Sequence, residues 1–197
     1  MYARMATSLE AGVIGAARRS LLGNATGVTM DLGAGIGLNL PHLPTSVTDV
    51  HLIEPDPYMI RRLSPGLPGH AVVHQAAGED LPLPDGGVDT VLATLTLCTV
   101  TDLPRTLNEI RRVLRPGGRL LVLEHVLSVH ATRALWQNAL QLPWRAMGGG
   151  CYPNRDTTQA LERGGFDVSG LSRFTIRGGL LASEWVTGVI GHPDLNV

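Results

Sequence analysis

The sequence predicts an α/β protein: a seven-stranded, mostly parallel sheet with helices on both faces. Three observations predict it. Apolar, β-branched runs alternate with helical ones along most of the 197 residues. A glycine-rich turn, "MDLGAGIGLNLP", follows the first of those runs. The composition, 44% hydrophobic and 17% charged with 24 glycines and 13 prolines spread along the chain, is that of one core-forming globular unit and not of a disordered segment.

Taken in order, residues 8–22 read as a helix, "VTMDL" as a first strand, and a second helix is expected from about Leu38. "DVHLIE", a helix through "YMIRRL", and the strands "AVVHQA" and "VDTVLATL" continue the alternation. The next helix has the clearest signals. Asp102 stands at its cap, Pro104 in its first turn where a missing N–H costs little, Leu107, Ile110 and Leu114 form a stripe, and "RPGG" ends it. "GRLLVLEHV" is the fifth strand. Beyond His130 the texture changes, because six of the eight aromatic residues (Trp136, Trp144, Tyr152, Phe166, Phe174, Trp185) gather around the run Gly148-Gly149-Gly150. A short helix follows with Asp156 as cap, Gln159 as the second half of a capping-box-like pair and Gly164-Gly165 as stop. Strands near "FDVSGLSRF" and "ASEWVTGVI" complete the sheet, and no internal repeat is present.

Charge and cysteine content exclude several classes. A net charge of −1 and a pI near 6.6 supply no field to gather phosphates, so no nucleic-acid partner is expected. The pairs Arg18-Arg19, Arg61-Arg62 and Arg111-Arg112 read as solvated helix faces. Two cysteines, Cys98 and Cys151, make no disulfide framework, and the N-terminal residues lack the apolar core of a signal peptide, which together point to the cytoplasm. Even the most apolar stretch, "VDTVLATLTLCTVTDL", is interrupted by threonines and aspartates, so no membrane span is expected. The seven histidines are scattered without ligand spacing, and no metal site is expected.

A strand that enters a glycine turn and opens a helix is the layout of nucleotide-binding α/β folds. Gly33, Gly35 and Gly37 form that turn, but the third glycine comes one position too early for the dinucleotide fingerprint, which disfavours a pyrophosphate. Glu54 ends the second strand, where a carboxylate can accept from a ribose diol, and Asp80 follows the third, where it could accept from an adenine amino group. Both acids repel phosphate. S-adenosylmethionine, an adenosine without phosphate that carries an amino-acid end, meets these constraints.

"MDLGAGIGLNLP", "HLIEPDP", "AAGEDLPLPDGGVDTVLATLTLCTV" and "EIRRVLRPGGRLLVLEHV" together resemble the class I S-adenosylmethionine-dependent methyltransferases. Small departures are Ala34 for a frequent cysteine and Ile36 for a frequent threonine. "TLTLCTV", "LEHV", "WQNALQLPWRAMGGGCYPNRDT" and "LERGGF" resemble the branch that holds the alkyl-thiol S-methyltransferases and their soluble bacterial relatives. The resemblance implies a Rossmann-like sheet whose last strand is antiparallel. It also implies S-adenosyl-L-methionine as cofactor and S-adenosyl-L-homocysteine as product. Asp31, Gly33, Gly35 and Gly37, with Ala34 and Asn39, would line the methionine end; Glu54, beside Pro55, the ribose; Glu79 and Asp80 the adenine; Thr94 and Leu95 the sulfonium. Residues 1–127 would form the cofactor core, 128–165 an aromatic cover and 166–197 the final strands of a single methyltransferase domain, 1–197, acting as a monomer or homodimer.

Ligands of open α/β sheets bind beyond the carboxyl ends of the strands, where Cys98, Glu124 and His125 fall. Cys98 reads either as a reactive thiol or as a small buried hydrophobe, and His125 either as a base or as a hydrogen-bonded core histidine. Glu124, at a buried strand end, requires a partner or a raised pKa, and Arg155 is a candidate partner. Trp136, Trp144, Asn138, Cys151 and Tyr152, with Gln137, form either a packed helix face or the wall of an acceptor pocket. The expected activity is methyl transfer to a small-molecule acceptor, a thiol or else a phenol, amine or quinol through O-, N- or C-methylation. A non-catalytic S-adenosylmethionine-binding module and an NAD-dependent oxidoreductase are the readings of another class.

Overall fold

A computed structural model of the chain describes residues 12–63, 65, 67–147, 149–176 and 183–191. Its elements are α1 (Val13–Leu22), β1 (Gly27–Leu32), β2 (Val47–Ile53), α2 (Pro57–Leu63), β3 (Ala71–His74), β4 (Val88–Thr94), α3 (Leu103–Val113), β5 (Leu114–Val126), α4 (Ala131–Ala139), α5 (Gln141–Met147), α6 (Thr157–Arg163), β6 (Leu171–Ile176) and β7 (Ser183–Gly191). They form one sheet of order β3-β2-β1-β4-β5-β7-β6, in which β7 runs antiparallel to both its neighbours and the other strands are parallel. The expected sheet and its antiparallel last strand are both present. Strand order reverses between β1 and β4, the switch point where such sheets take ligands.

Alternation along the strands builds two cores. On β5, Leu120 and Val122 face a layer with Leu107 and Ile110 of α3 and Leu161 of α6, while Leu121 and Leu123 face Ile14, Leu21 and Leu22 of α1. Helix α3 starts as its sequence requires, with the Asp102 carboxylate accepting from Arg105 N at 3.0 Å. Likewise Asp156 caps α6 by accepting from Gln159 N, and Gly164 ends it.

Several expectations are corrected. No α-helix follows the glycine turn: the chain makes turns and then a single 3₁₀ turn, Leu40–His42, because Pro41 and Pro44 interrupt any helical ladder there. Leu114 opens β5 instead of closing α3, and "RPGG" is a bulge in that strand, since Val88 pairs with Leu114 and Thr90 already with Arg119. In "FDVSG", Phe166 and Asp167 are irregular and Val168–Gly170 is a 3₁₀ turn, with β6 beginning at Leu171. Of the first expected helix, residues 8–11 lie outside the described residues, as do Gly148 and Ala182. Arg18 is not solvated: it is 3% exposed, because its position on α1 faces the sheet. Among the described residues no helix is long and apolar enough to cross a membrane.

Candidate active site

Three glycines make the turn after β1, and each has a different reason to be glycine. All have positive φ, +65° at Gly33, +57° at Gly35 and +83° at Gly37. A Cβ on Gly33 would stand 2.6 Å from Thr96 Oγ1 and Cγ2, and one on Gly37 2.6 Å from Leu63 Cδ1. A Cβ on Gly35 would meet nothing nearer than Gly33 O at 3.9 Å. Gly33 and Gly37 are therefore close-packed against the protein, and only Gly35 presents bare backbone to open space.

That space is a cleft of about 550 Å³, floored by Gly33 and Gly35 and walled by Glu54 and Pro55 after β2, Ala77 to Glu79 after β3, and Leu95, Thr96 and Thr99 after β4. Its size suits a nucleoside-sized ligand. Glu54 is buried, and its carboxylate accepts from Gly35 N at 2.8 Å and from Asp56 N at 2.9 Å. Each oxygen keeps a lone pair for a hydroxyl. Glu79 lines the cleft, with Oε1 accepting from Thr101 N and Asp102 N. Asp80 is exposed and does not line it.

A smaller recess continues past Ala34, Asn39, Thr94 and Leu95, and Arg18 lines it. Here the buried polar groups form one network. Arg18 Nη1 donates to Asn39 Oδ1 and to Thr94 Oγ1, the latter at 2.9 Å, while Asn39 Nδ2 donates to Asp31 Oδ1 at 2.7 Å and to Thr94 Oγ1 at 2.9 Å. Asp31 Oδ2 is buried without a partner, and burial pushes this carboxyl up to about 7 despite the Asn39 bond and the Arg18 charge. With no α-helix opening after the glycine turn, the positive charge at this recess comes from a side chain, Arg18. Arg18 was missed in the sequence because an Arg-Arg pair on a helix reads as surface; its place on the stripe with Ile14, Leu21 and Leu22 was the available signal.

Between β4 and α3 the chain makes a turn fixed from two sides. Leu95 has φ +61°, a strained value for leucine. The Glu124 carboxylate, at the end of β5, accepts from the backbone N–H of Thr96 and Leu97 at 2.7 Å and of Cys98 at 3.2 Å. From the other side Arg155 donates to Leu97 O and Val100 O, both at 2.7 Å. The anticipated Glu124–Arg155 pair is therefore absent: the carboxylate takes the turn's donors and the guanidinium its acceptors. Both are positioning residues. Burial raises the Glu124 carboxyl to about 7 against the pull of its three N–H donors. Asp89 likewise serves structure, accepting from Val28 N at 2.7 Å and pairing with Arg115.

The remaining acceptor-side residues divide. His125 is 6% exposed and sits in an aromatic slot, 6.4 Å from the near-parallel ring of Trp144 and 5.5 Å from the perpendicular ring of Trp185. Its Nδ1 is buried without a hydrogen-bond partner. The neighbouring side chains of Cys98, foremost, and of His125 and Trp144 lower the Cys151 thiol to about 5 against the effect of burial. The Cys98 thiol, buried at 2% exposure, is pushed up by Cys151 and by burial. The Tyr152 ring lies between the guanidinium groups of Arg145 at 4.1 Å and Arg155 at 4.3 Å. Trp136, by contrast, is 56% exposed on α4, and Asn138 Oδ1 is taken by Asn154 Nδ2 at 2.8 Å. Neither joins the cluster, because Gln137 turns inward between them: it accepts from Ser128 N and donates to Val126 O and Pro153 O. Trp185 and the buried Glu184 were missed in the sequence, where both read only as strand. Glu184 accepts from Ser128 Oγ, Val129 N and Arg173, and so fastens the start of the cover to β7.

The sheet order, the reversal between β1 and β4 and the cleft above it define the class I methyltransferase fold. An S-adenosylmethionine-dependent methyltransferase from Mesorhizobium loti superposes with a TM-score of 0.71 at 17% identity, over 93% of this chain and 99% of that one. The [4+2]-cyclase SpnF does so with a TM-score of 0.71 at 16% identity, over 89% and 78%. Residues 30–122 match the family described as Methyltransferase domain. Human thiol S-methyltransferase TMT1B is 34% identical over 151 residues, 73% of this chain, and the chain spans 62% of that relative's length. The fold and these likenesses are those of the class I S-adenosylmethionine-dependent methyltransferases. That family implies S-adenosylmethionine as cofactor, and the cleft fits it: Gly35 is a cradle that a Cβ would fill, Glu54 offers a diol acceptor, and Arg18 brings a guanidinium to the far recess.

Proposed function

We propose that the chain transfers the methyl group of S-adenosylmethionine to a small-molecule acceptor, and that the acceptor is a thiol. The bound cofactor supplies an electrophilic methyl on a sulfonium. In this reading Gly33, Ala34, Gly35, Gly37 and Asn39 bound the methionine end with Arg18, Asp31 backs Asn39, Glu54 and Pro55 bound the ribose, and Glu79 borders the base. Thr94 and Leu95 stand beside the sulfonium, and Asp80 has only an outer part. One domain carries all of this, with 1–127 as core, 128–165 as cover and 166–197 as final strands.

The observation that carries the acceptor class is the cluster beyond β4 and β5. Cys98, His125, Trp144 and Cys151 form a polarisable cluster, adjoining the cleft-lining Thr99, Val100 and Gly149, with an unpartnered imidazole nitrogen, Nδ1 of His125. In this reading such a cluster accommodates sulfur and accepts its proton, and the attacking species in thiol methylation is the thiolate. The likeness to a thiol S-methyltransferase supports the same class. Alignment of two reactants in a dry pocket supplies much of the rate of such a displacement, so the chain needs no further machinery.

The test is incubation of the full chain with labelled S-adenosylmethionine and a panel of thiols, phenols, amines and quinols. Label on thiols is expected. Label on a phenol, amine or quinol alone transfers the assignment to O-, N- or C-methylation. Tight binding of S-adenosylhomocysteine with no label on any acceptor sinks the reading, an outcome given substance by a cyclase on the same fold. Calorimetry with NAD in place of S-adenosylhomocysteine closes the remaining alternative: binding of NAD alone would overturn the cofactor.

A further inference from the structure

Cys98 and Cys151 lie more than fifty residues apart in the chain, yet the backbone brings them side by side and both thiols are free. The backbone holds them in place from both sides. Tyr152 N donates to Cys98 O at 2.9 Å, and Cys98 N is held by Glu124. One thiol is buried and the other partly open to solvent. A thiolate at the open position and a partner within reach behind it is the arrangement of an attacking and a resolving cysteine.

We propose that Cys98 and Cys151 are a reversible dithiol–disulfide pair, oxidised by low-molecular-weight disulfides, that locks the wall of the cleft. Cys151 Sγ attacks one sulfur of the external disulfide; its S–S bond breaks, one thiolate leaves, and a mixed disulfide forms on Cys151. Capture removes the negative charge facing Cys98, which then surrenders its proton to the departing thiolate and attacks Cys151 Sγ, expelling the second thiolate. The two cysteines lose two electrons; Cys98 gives its proton to the first thiolate, the second thiolate takes from solvent the proton Cys151 had released there, and the external disulfide becomes two thiols. A dithiol reductant reverses the exchange.

The consequence lies in where the pair is anchored. Gly149, two residues before Cys151, lines the cleft, and so do Thr99 and Val100 just after Cys98. A covalent link joins those walls and removes the Cys151 thiolate from His125. Gating of the acceptor rests on the thiol-methylation reading; formation of the disulfide does not.

The experiment exposes the full native chain to glutathione disulfide, quenches with acid, and reads intact mass and linked peptides. Wild type is expected to lose two hydrogens, to show a Cys98–Cys151 peptide, and to recover with dithiothreitol. Cys98→Ser is expected to retain glutathione on Cys151, and Cys151→Ser to remain unmodified while folded. A wild type that holds a stable glutathione adduct, or stays reduced while Cys98→Ser is glutathionylated, overturns the pair. The same samples are then assayed for methyl transfer to a thiol. Loss of most of the turnover, restored by dithiothreitol, is expected; undiminished turnover of the linked form overturns the lock. Should no thiol be methylated at all, the mass readout still decides on the pair.

Discussion

At the carboxyl ends of β1 and β2 the cleft is floored by the glycine turn, where Gly35 presents bare backbone with its N–H held by Glu54, and Gly33 and Gly37 pack against Thr96 and Leu63. Beyond β4 and β5 the chain gathers a cluster of side chains, Cys98, His125, Trp144, Cys151 and Trp185, next to the cleft-lining Thr99, Val100 and Gly149. The first region must admit one ligand closely and tolerates no atom added to it. The second leaves an imidazole nitrogen unpaired and a thiol perturbed, features that suit chemistry more than grip. If this division is right, changes in the first region act on donor affinity or folding, and changes in the second on turnover.

The largest effects separate two neighbouring glycines. Gly33→Ala adds a Cβ that Thr96 already occupies, at positive φ, and is expected to cost about 2–5 kcal/mol of stability by strain and overpacking. Gly35→Val costs only the strain of its positive φ, about 1–2 kcal/mol, yet should abolish binding of S-adenosylhomocysteine. Thermal melts and calorimetry on both variants read the contrast. Unchanged donor affinity in Gly35→Val would show that the ligand lies elsewhere.

Next in size is the pH dependence of the donor side. Asp31 titrates near 7 in the fold and near 3.8 when exposed, so the folded state holds its proton more tightly. Stability from this group is present below pH 4 and is lost as pH rises to 7, by about 4 kcal/mol on the free-energy equivalent of a pKa shift. Asp31→Asn keeps an acceptor for Asn39 and has no such loss. Urea unfolding from pH 4 to 8 should therefore show the variant gaining on wild type as pH rises. Glu124 is raised in the same direction, so part of the slope remains. A constant difference between the two proteins across that range would refute the buried, protonated Asp31.

His125→Ala tests the other region. Turnover should fall about 100-fold, the scale of a lost proton acceptor, with donor affinity nearly unchanged. Equal losses in both would remove the acceptor-side role and erase the division.

Legibility in the sequence follows the same line. The strands, the caps at Asp102 and Asp156 and the glycine turn are local, and each could be read from a few consecutive residues. Arg18 could not, because its partners Asn39 and Thr94 are brought to it only by the sheet. Nor could the Glu124 carboxylate be assigned to three amides, since nothing in "LEHV" specifies that the turn after β4 points its N–H groups toward it. Trp136 and Trp144 look alike in sequence, but they fall on successive helices, α4 and α5, and only the packing of the second brings its ring onto His125 while Trp136 stays in solvent.

The smallest predicted effect is the most direct probe of the donor grip. Glu54 uses one lone pair on each oxygen for a backbone amide, Gly35 N and Asp56 N, and has one left on each for a ribose hydroxyl. Glu54→Ala should cost about 1–3 kcal/mol of S-adenosylhomocysteine affinity, the range for hydroxyls left unpaired. Glu54→Gln retains one carbonyl oxygen and replaces the other by a donor facing an N–H, so it should lie between wild type and Glu54→Ala. Both should leave the turnover of saturated enzyme close to wild type, because the carboxylate is on the β2 side of the cleft and the reacting sulfur is assigned to the β4–β5 side. A Glu54→Ala variant with normal affinity and reduced turnover would place this carboxylate with His125 and dissolve the comparison.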